Sequence, residues 1–99
     1  MNDSTGTSQV WQRKYSPTAA RALAKLAKKN KRQAERIDGA LIAACTSGDP
    51  RSRGTGLTGA RAGQWRYRVG DWRVIVEIEN ELLIVRAIEL GHRSAVYSG

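Results

Sequence analysis

Every lysine or arginine after position 50 is arginine: Arg51, Arg53, Arg61, Arg66, Arg68, Arg73, Arg86 and Arg93. A guanidinium donates two parallel hydrogen bonds to phosphate oxygens and keeps its proton under all ordinary conditions. Such residues hold anions; they do not move protons. Three of them fall in the stretch "WRYRVGDWRVIVEIE", Trp65 to Glu79. The stretch alternates, breaks at Gly70-Asp71, and alternates again. That pattern predicts a hairpin with a two-residue, type II′ turn. A two-residue loop pairs Val69 with Trp72, Arg68 with Arg73, Tyr67 with Val74 and Arg66 with Ile75.

Like charges directly opposite on a sheet face are destabilising. Arg66, Arg68 and Arg73 crowded on one face therefore suggest a surface built for phosphate, with Arg61 from the preceding loop as a fourth ligand. A plainer alternative is that these arginines solvate the sheet and pair with Glu77, Glu79 and Glu89. The single histidine, His92, follows the last apolar run and sets an imidazole at a strand end beside the arginine face. Arg93 and Tyr97 follow it, and Tyr97 offers a ring to stack on a base or a hydroxyl.

The elements that must position these groups follow from periodicity. "QVWQRKY" (9–15) alternates as a short strand. Ser16 and Pro17 then supply a helix cap and first turn, with Ala19, Leu23 and Leu26 on one face. After a break at Asn30-Lys31, a second helix runs from about Arg32 to Thr46, its stripe formed by Ala34, Ile37, Leu41, Ala44 and Cys45. A Gly-, Ser- and Arg-rich loop spans 47–63, with Leu57 expected to pin it to the core. Strands are predicted at 64–69, 72–79 and 82–90, the last apolar enough to lie centrally. Trp65, Tyr67, Val69, Trp72, Val74, Val76 and Ile78 share the core face. The whole is an α+β fold: an N-terminal strand, an antiparallel helical hairpin, then a three-stranded antiparallel meander. One sheet results, with the helices on one face.

The chain has 99 residues and a formal net charge of +8, which suits one compact domain with an anionic partner. Residues 1–8 are small and polar and are expected to be disordered, leaving 9–99 as the domain. The one cysteine, Cys45, permits no internal disulfide, and no Cys/His cluster suggests a metal. No apolar run is long enough to span a bilayer and the polar start is not signal-like, so a cytoplasmic protein is expected.

From "YSPTAARALAKL" through "GLTGARAGQWRYRVGDWRVIVEIE" to "GHRSAVY", the chain resembles the RelE branch of the RelE/ParE toxin superfamily. The resemblance covers nearly everything after residue 9. It implies the toxin of a toxin–antitoxin pair, a metal-independent and cofactor-free endoribonuclease that cuts messenger RNA in the ribosomal A site. It also implies a cognate antitoxin, RelB-like or of another class, as the neutralising partner, with no membrane involved. Arg66 and Arg68 stand where the family's best-known member has lysines; Arg73, Arg93 and Tyr97 match its arginines and tyrosine. Cleavage by attack of a 2′-hydroxyl on the neighbouring phosphate needs proton transfer as well as charge stabilisation. With arginine at these positions, His92 and Tyr97 are left as the evident proton carriers. The alternative implied by the same superfamily is a ParE-like inhibitor of DNA gyrase that binds without cutting RNA; a non-catalytic RNA-binding module is a third.

Overall fold

The structure is a computed structural model describing residues 11–92. The stretch expected to be disordered (1–8), Arg93 and Tyr97 lie outside the described residues. Five strands form one sheet: β1 (Gln12–Tyr15), β2 (Thr55–Gly56), β3 (Gln64–Val69), β4 (Trp72–Glu79) and β5 (Ile84–His92). Their spatial order is β1-β5-β4-β3-β2. β1 runs parallel to β5, the last strand of the chain, and all other pairs are antiparallel. The expected α+β architecture is therefore present, with β2 added at the edge.

Helices α1 (Pro17–Lys29) and α2 (Lys31–Cys45) begin and end where local chemistry dictates. Ser16 Oγ accepts from the Ala19 N–H at 3.1 Å, and Pro17 occupies the first turn, where its missing donor costs nothing. Asn30 serves both helices. Its N–H donates to the Leu26 carbonyl at 2.7 Å, closing α1, and its side-chain oxygen accepts from the Gln33 N–H at 3.1 Å, opening α2. One residue thus makes the break between the helices. Their inner stripe (Ala19, Leu26, Ala34, Ile37, Leu41, Ala44, Cys45) packs on Tyr67, Val69, Val74, Val76, Val85, Ala87 and Leu90 of the sheet. Among the described residues no helix is long and apolar enough to cross a membrane.

The expected register of the β3–β4 hairpin is the observed one, from Val69↔Trp72 to Arg66↔Ile75. Gly70 has φ 62° while Asp71 does not share a positive φ, which is the II′ pattern and not I′. The loop before β3 differs from expectation. Leu57 is only half-buried and lies outside the core cluster. Two 3₁₀ turns, Pro50–Arg53 and Gly59–Arg61, shape the segment instead, and Pro50 is the buried anchor. The Tyr67 hydroxyl donates to the Pro50 carbonyl at 2.9 Å, satisfying both groups in the interior. A proline survives in this role because an otherwise polar loop needs one apolar, donor-free residue to enter the core.

β1 is fixed to α2 by a polar clasp. The Arg13 Nε and Nη2 donate to the two Asp38 oxygens at 2.6 and 3.0 Å, and the Tyr15 hydroxyl donates to Asp38 Oδ1 at 2.6 Å. Burial and Asp38 together hold the Tyr15 phenol protonated, well above its ordinary range. Burial pushes the Asp38 carboxyl up, but the hydrogen bonds from Arg13 and Tyr15 and the Arg13 charge outweigh it and leave the carboxyl below its usual value. A carboxylate lowered by folding stabilises the fold fully above its unfolded value of about 3.9 and loses that contribution as pH falls through the folded value. The melting-temperature gap between the unaltered chain and Asp38→Asn should therefore be steady near neutral pH and close below about pH 4.

A second packing constraint sits under the hairpin. A Cβ added at Gly54 would lie 2.5 Å from the Tyr67 ring and 2.7 Å from the Arg66 carbonyl. Gly54→Ala should lower stability by about 1–3 kcal/mol, read by denaturant unfolding, because the Arg66 backbone cannot yield without disturbing β3.

Candidate nucleic-acid interface

The sheet face turned away from the helices carries the arginines. Residues paired across a sheet share a face, so the ladder places them in three rows: Gln64–Glu77–Arg86, Arg66–Ile75–Glu89 and Arg68–Arg73–Gly91. Ile75 is fully buried at the middle of this face, with Arg66 and Glu89 as its cross-strand neighbours. Arg66 and Arg73, the arginines nearest it in the ladder, are themselves half-buried.

The basic set divides by partner. Arg51 meets Asp49 at 3.3 Å and the Asn80 amide oxygen at 2.7 Å. Arg86 pairs with Glu79 at 3.0 Å. Arg61 reaches across from its 3₁₀ turn to Glu89 at 2.6 Å and to Gln64 at 3.0 Å. Arg61 is thus engaged with a carboxylate, and its expected place among the phosphate ligands has that contact as a competitor. Arg68 is exposed and has no hydrogen bond or ion pair among the described residues. Arg73 makes only a long contact, 3.4 Å, with its neighbour's carbonyl at Trp72. Among the described residues, the two directly opposed cations thus have no carboxylate partner, and they stand at the turn end of the hairpin.

Two further side chains reach that end from α2. Gln33 Nε2 donates to the Val69 carbonyl at 3.3 Å. The Arg36 guanidinium lies against the turn, with both terminal nitrogens 3.8 Å from where a Cβ on Gly70 would stand. Sequence reasoning passed over Arg36 because its neighbours on the helix give no sign of the hairpin beside it.

His92 does not join the arginine face. It pairs with Trp72, and the two rings meet edge to face with centroids 6.0 Å apart. Trp72 packs against the core, so His92 lies on the helix side of the sheet, while Gly91 stands opposite Arg73. The cause is a one-residue bulge: Val76 pairs with Ala87 but Ile75 with Glu89, so Ile88 is extra. Val85 and Ala87 face the core before the bulge, and Leu90 and His92 face that side after it. The signal was present in "VRAIEL", where Leu90 falls out of phase with Val85 and Ala87. The same shift brings Glu89, which strict alternation sends to the core, onto the arginine face. Of the remaining expected site residues, Arg66, Arg68 and Arg73 are brought together; Arg93 and Tyr97 lie outside the described residues. No group of three or more possible metal ligands occurs among the described residues.

Residues 13–97 match the family described as the ParE toxin of the type II toxin–antitoxin system parDE. The chain belongs to that family, within the RelE/ParE toxin superfamily. Among solved structures it is similar to the toxin–antitoxin complex RelBE2 from Mycobacterium tuberculosis, with 25% identity, a TM-score of 0.65, and 91% of this chain and 99% of that chain covered. It shares its fold with YafQ from E. coli, at 18% identity and a TM-score of 0.62, covering 89% of this chain and 99% of that one. A histidine-to-glutamine variant of YafQ gives 17% identity, a TM-score of 0.66 and the same coverage. The RelBE2 likeness supports the RelE-like branch, and the YafQ structures share the fold. A search of the curated proteins found no match.

Because Arg68 is exposed and stands opposite Arg73 with no ion-pair partner among the described residues, its removal subtracts repulsion and little packing. Arg68→Ala should leave thermal stability unchanged or raise it, by up to about 1 kcal/mol, measured by denaturant unfolding at low salt.

Proposed function

We propose that the chain is a toxin that binds messenger RNA on the ribosome and cleaves it without a metal, inhibiting translation in the cytoplasm. The observation that carries this reading is the Arg68–Arg73 pair, opposed across the hairpin with no carboxylate between them. The pair is the arrangement expected where a phosphate supplies the missing charge. Arg66 on the same face extends it along the sheet. In this reading the arginines hold the scissile and flanking phosphates and stabilise charge that builds on phosphorus during attack by the 2′-hydroxyl. Arg93 and Tyr97 complete the set as phosphate ligand and stacking or hydroxyl group. His92, turned to the other side of the sheet, fits a role in supporting Trp72 better than one in proton transfer.

A cognate antitoxin belongs to the same proposal. The RelBE2 structure is a toxin–antitoxin complex, and the matching family is one of type II toxins. A chain of net charge +8 would meet an acidic partner with electrostatic steering, so complex formation should weaken as salt rises.

The second reading, inhibition of DNA gyrase by binding, is favoured by the ParE description of the matching family. Fold does not decide between them. Mapping of messenger-RNA ends in cells expressing the chain does. The nuclease reading expects cuts within translated codons. Intact messages together with a DNA-damage response would replace it with the gyrase reading. Arg73→Ala should abolish growth inhibition while the variant remains folded by circular dichroism; full toxicity of a folded Arg73→Ala chain would remove the phosphate-clamp role.

A further inference from the structure

We propose that Glu89 is the proton acceptor of the RNA-cleavage reaction, a catalytic residue that the bulge in β5 delivers to the arginine face. The inference rests on the nuclease reading above and adds to it a proton acceptor among the described residues. Among the described residues, the groups on this face near Arg73 are arginines, which hold their protons, and Glu89. Glu77 and Glu79 lie further along β4, away from the opposed Arg68–Arg73 pair. Tyr67 faces the core with its hydroxyl committed to Pro50, and His92 lies on the other side of the sheet.

Glu89 is well placed. It stands opposite Ile75, one step along the face from the Arg73–Gly91 row and in the same row as Arg66. Diagonal neighbours on a sheet face are separated by about 7–8 Å, a span that one ribose-phosphate unit can bridge. One carboxylate oxygen is held by Arg61 at 2.6 Å, which fixes the side chain's direction. Its second oxygen has no hydrogen-bond partner among the described residues, and the side chain is about one-third exposed, 33%. A substrate hydroxyl can reach it. Arg61 then has a role other than phosphate binding: it is a positioning residue, orienting the acceptor as the third member of a catalytic set orients the base.

The step balances without a co-reactant. The free oxygen of Glu89 takes the proton of the 2′-hydroxyl as the bond from the 2′-oxygen to phosphorus forms. The bond from phosphorus to the 5′-oxygen breaks, giving a 2′,3′-cyclic phosphate. The departing 5′-oxygen takes a proton from water, and Glu89 returns its own to the hydroxide so formed. Arg66, Arg68 and Arg73 stabilise the charge on phosphorus throughout.

Single-turnover cleavage of message on programmed ribosomes tests this, using the purified chain and its Glu89→Gln and Glu89→Ala variants. The amide of Glu89→Gln can still accept from Arg61, so the clasp is kept while the base is lost. Its cleavage rate should fall by about 10²-fold or more, with ribosome binding and melting temperature maintained. Added formate, a small carboxylate, should restore part of the activity of Glu89→Ala. A merely structural clasp predicts no such rescue. Glu89→Gln cleaving at the unaltered rate, or a folded Glu89→Ala chain indifferent to formate, would overturn the assignment and leave the nuclease reading standing. Failure of the unaltered chain to cleave on ribosomes would overturn both.

Discussion

Strand β5 lies between β1 and β4 and must keep Val85, Ala87 and Leu90 against the helices. Strict alternation cannot do this, because Leu90 is an odd number of residues from Ala87. An extra residue at Ile88 resolves the conflict by resetting the phase of the strand. Burying Leu90 is worth about 1.5–3 kcal/mol, and the alternative would place the Glu89 carboxylate in the apolar layer at several times that cost. The bulge is thus imposed by packing. Its chemical result is that Glu89 joins Arg66 and Arg73 while His92 leaves them. The helix side and the arginine side of the sheet are composed by one irregularity.

The same comparison of magnitudes explains how the opposed arginines persist. Their repulsion is at most about 1 kcal/mol on a sheet surface. Shifting the register by one residue to relieve it would turn one strand over and expose either Tyr67 and Val69 or Val74 and Val76, each side chain worth about 1.5–3 kcal/mol. The turn opposes the shift as well, since Gly70 supplies the positive φ that a II′ turn requires. Register is fixed from both ends, and the charges must accept the positions that it assigns. α2 reinforces this end of the hairpin through Gln33 and the Val69 carbonyl.

Features set by neighbours in the chain were legible in the sequence. The Gly70-Asp71 turn dictated the register, and with it the face shared by Arg66, Arg68 and Arg73. Ser16, Pro17 and Asn30 marked the helix ends. Features set by distant packing were not. Pro50, and not Leu57, anchors the long loop because a tyrosine hydroxyl on β3 reaches its carbonyl. The two-residue strand β2 exists only because β3 offers an edge to it. Arg36 meets the turn through the tertiary fold alone. His92 was expected at a strand end beside the arginine face, and the bulge turns it to the helix side, which the sequence reading did not foresee.

Arginine suits every basic position of this face because of what lies at its middle. Ile75 is fully buried on the side of the sheet that carries the arginines, with Arg66 and Glu89 as its cross-strand neighbours. A guanidinium suits this because it is weakly hydrated and planar, and can lie along an apolar surface while its edge donates outward. Lysine would supply charge without the fork, and could also shed its proton when partly buried. Arginine rules out that proton-transfer role, and on the nuclease reading it leaves acid–base chemistry to a carboxylate or to groups beyond the sheet. The composition of the face and the division of labour within it are therefore one choice. The opposed cations have no carboxylate partner among the described residues, and Glu89 is held at their margin by Arg61.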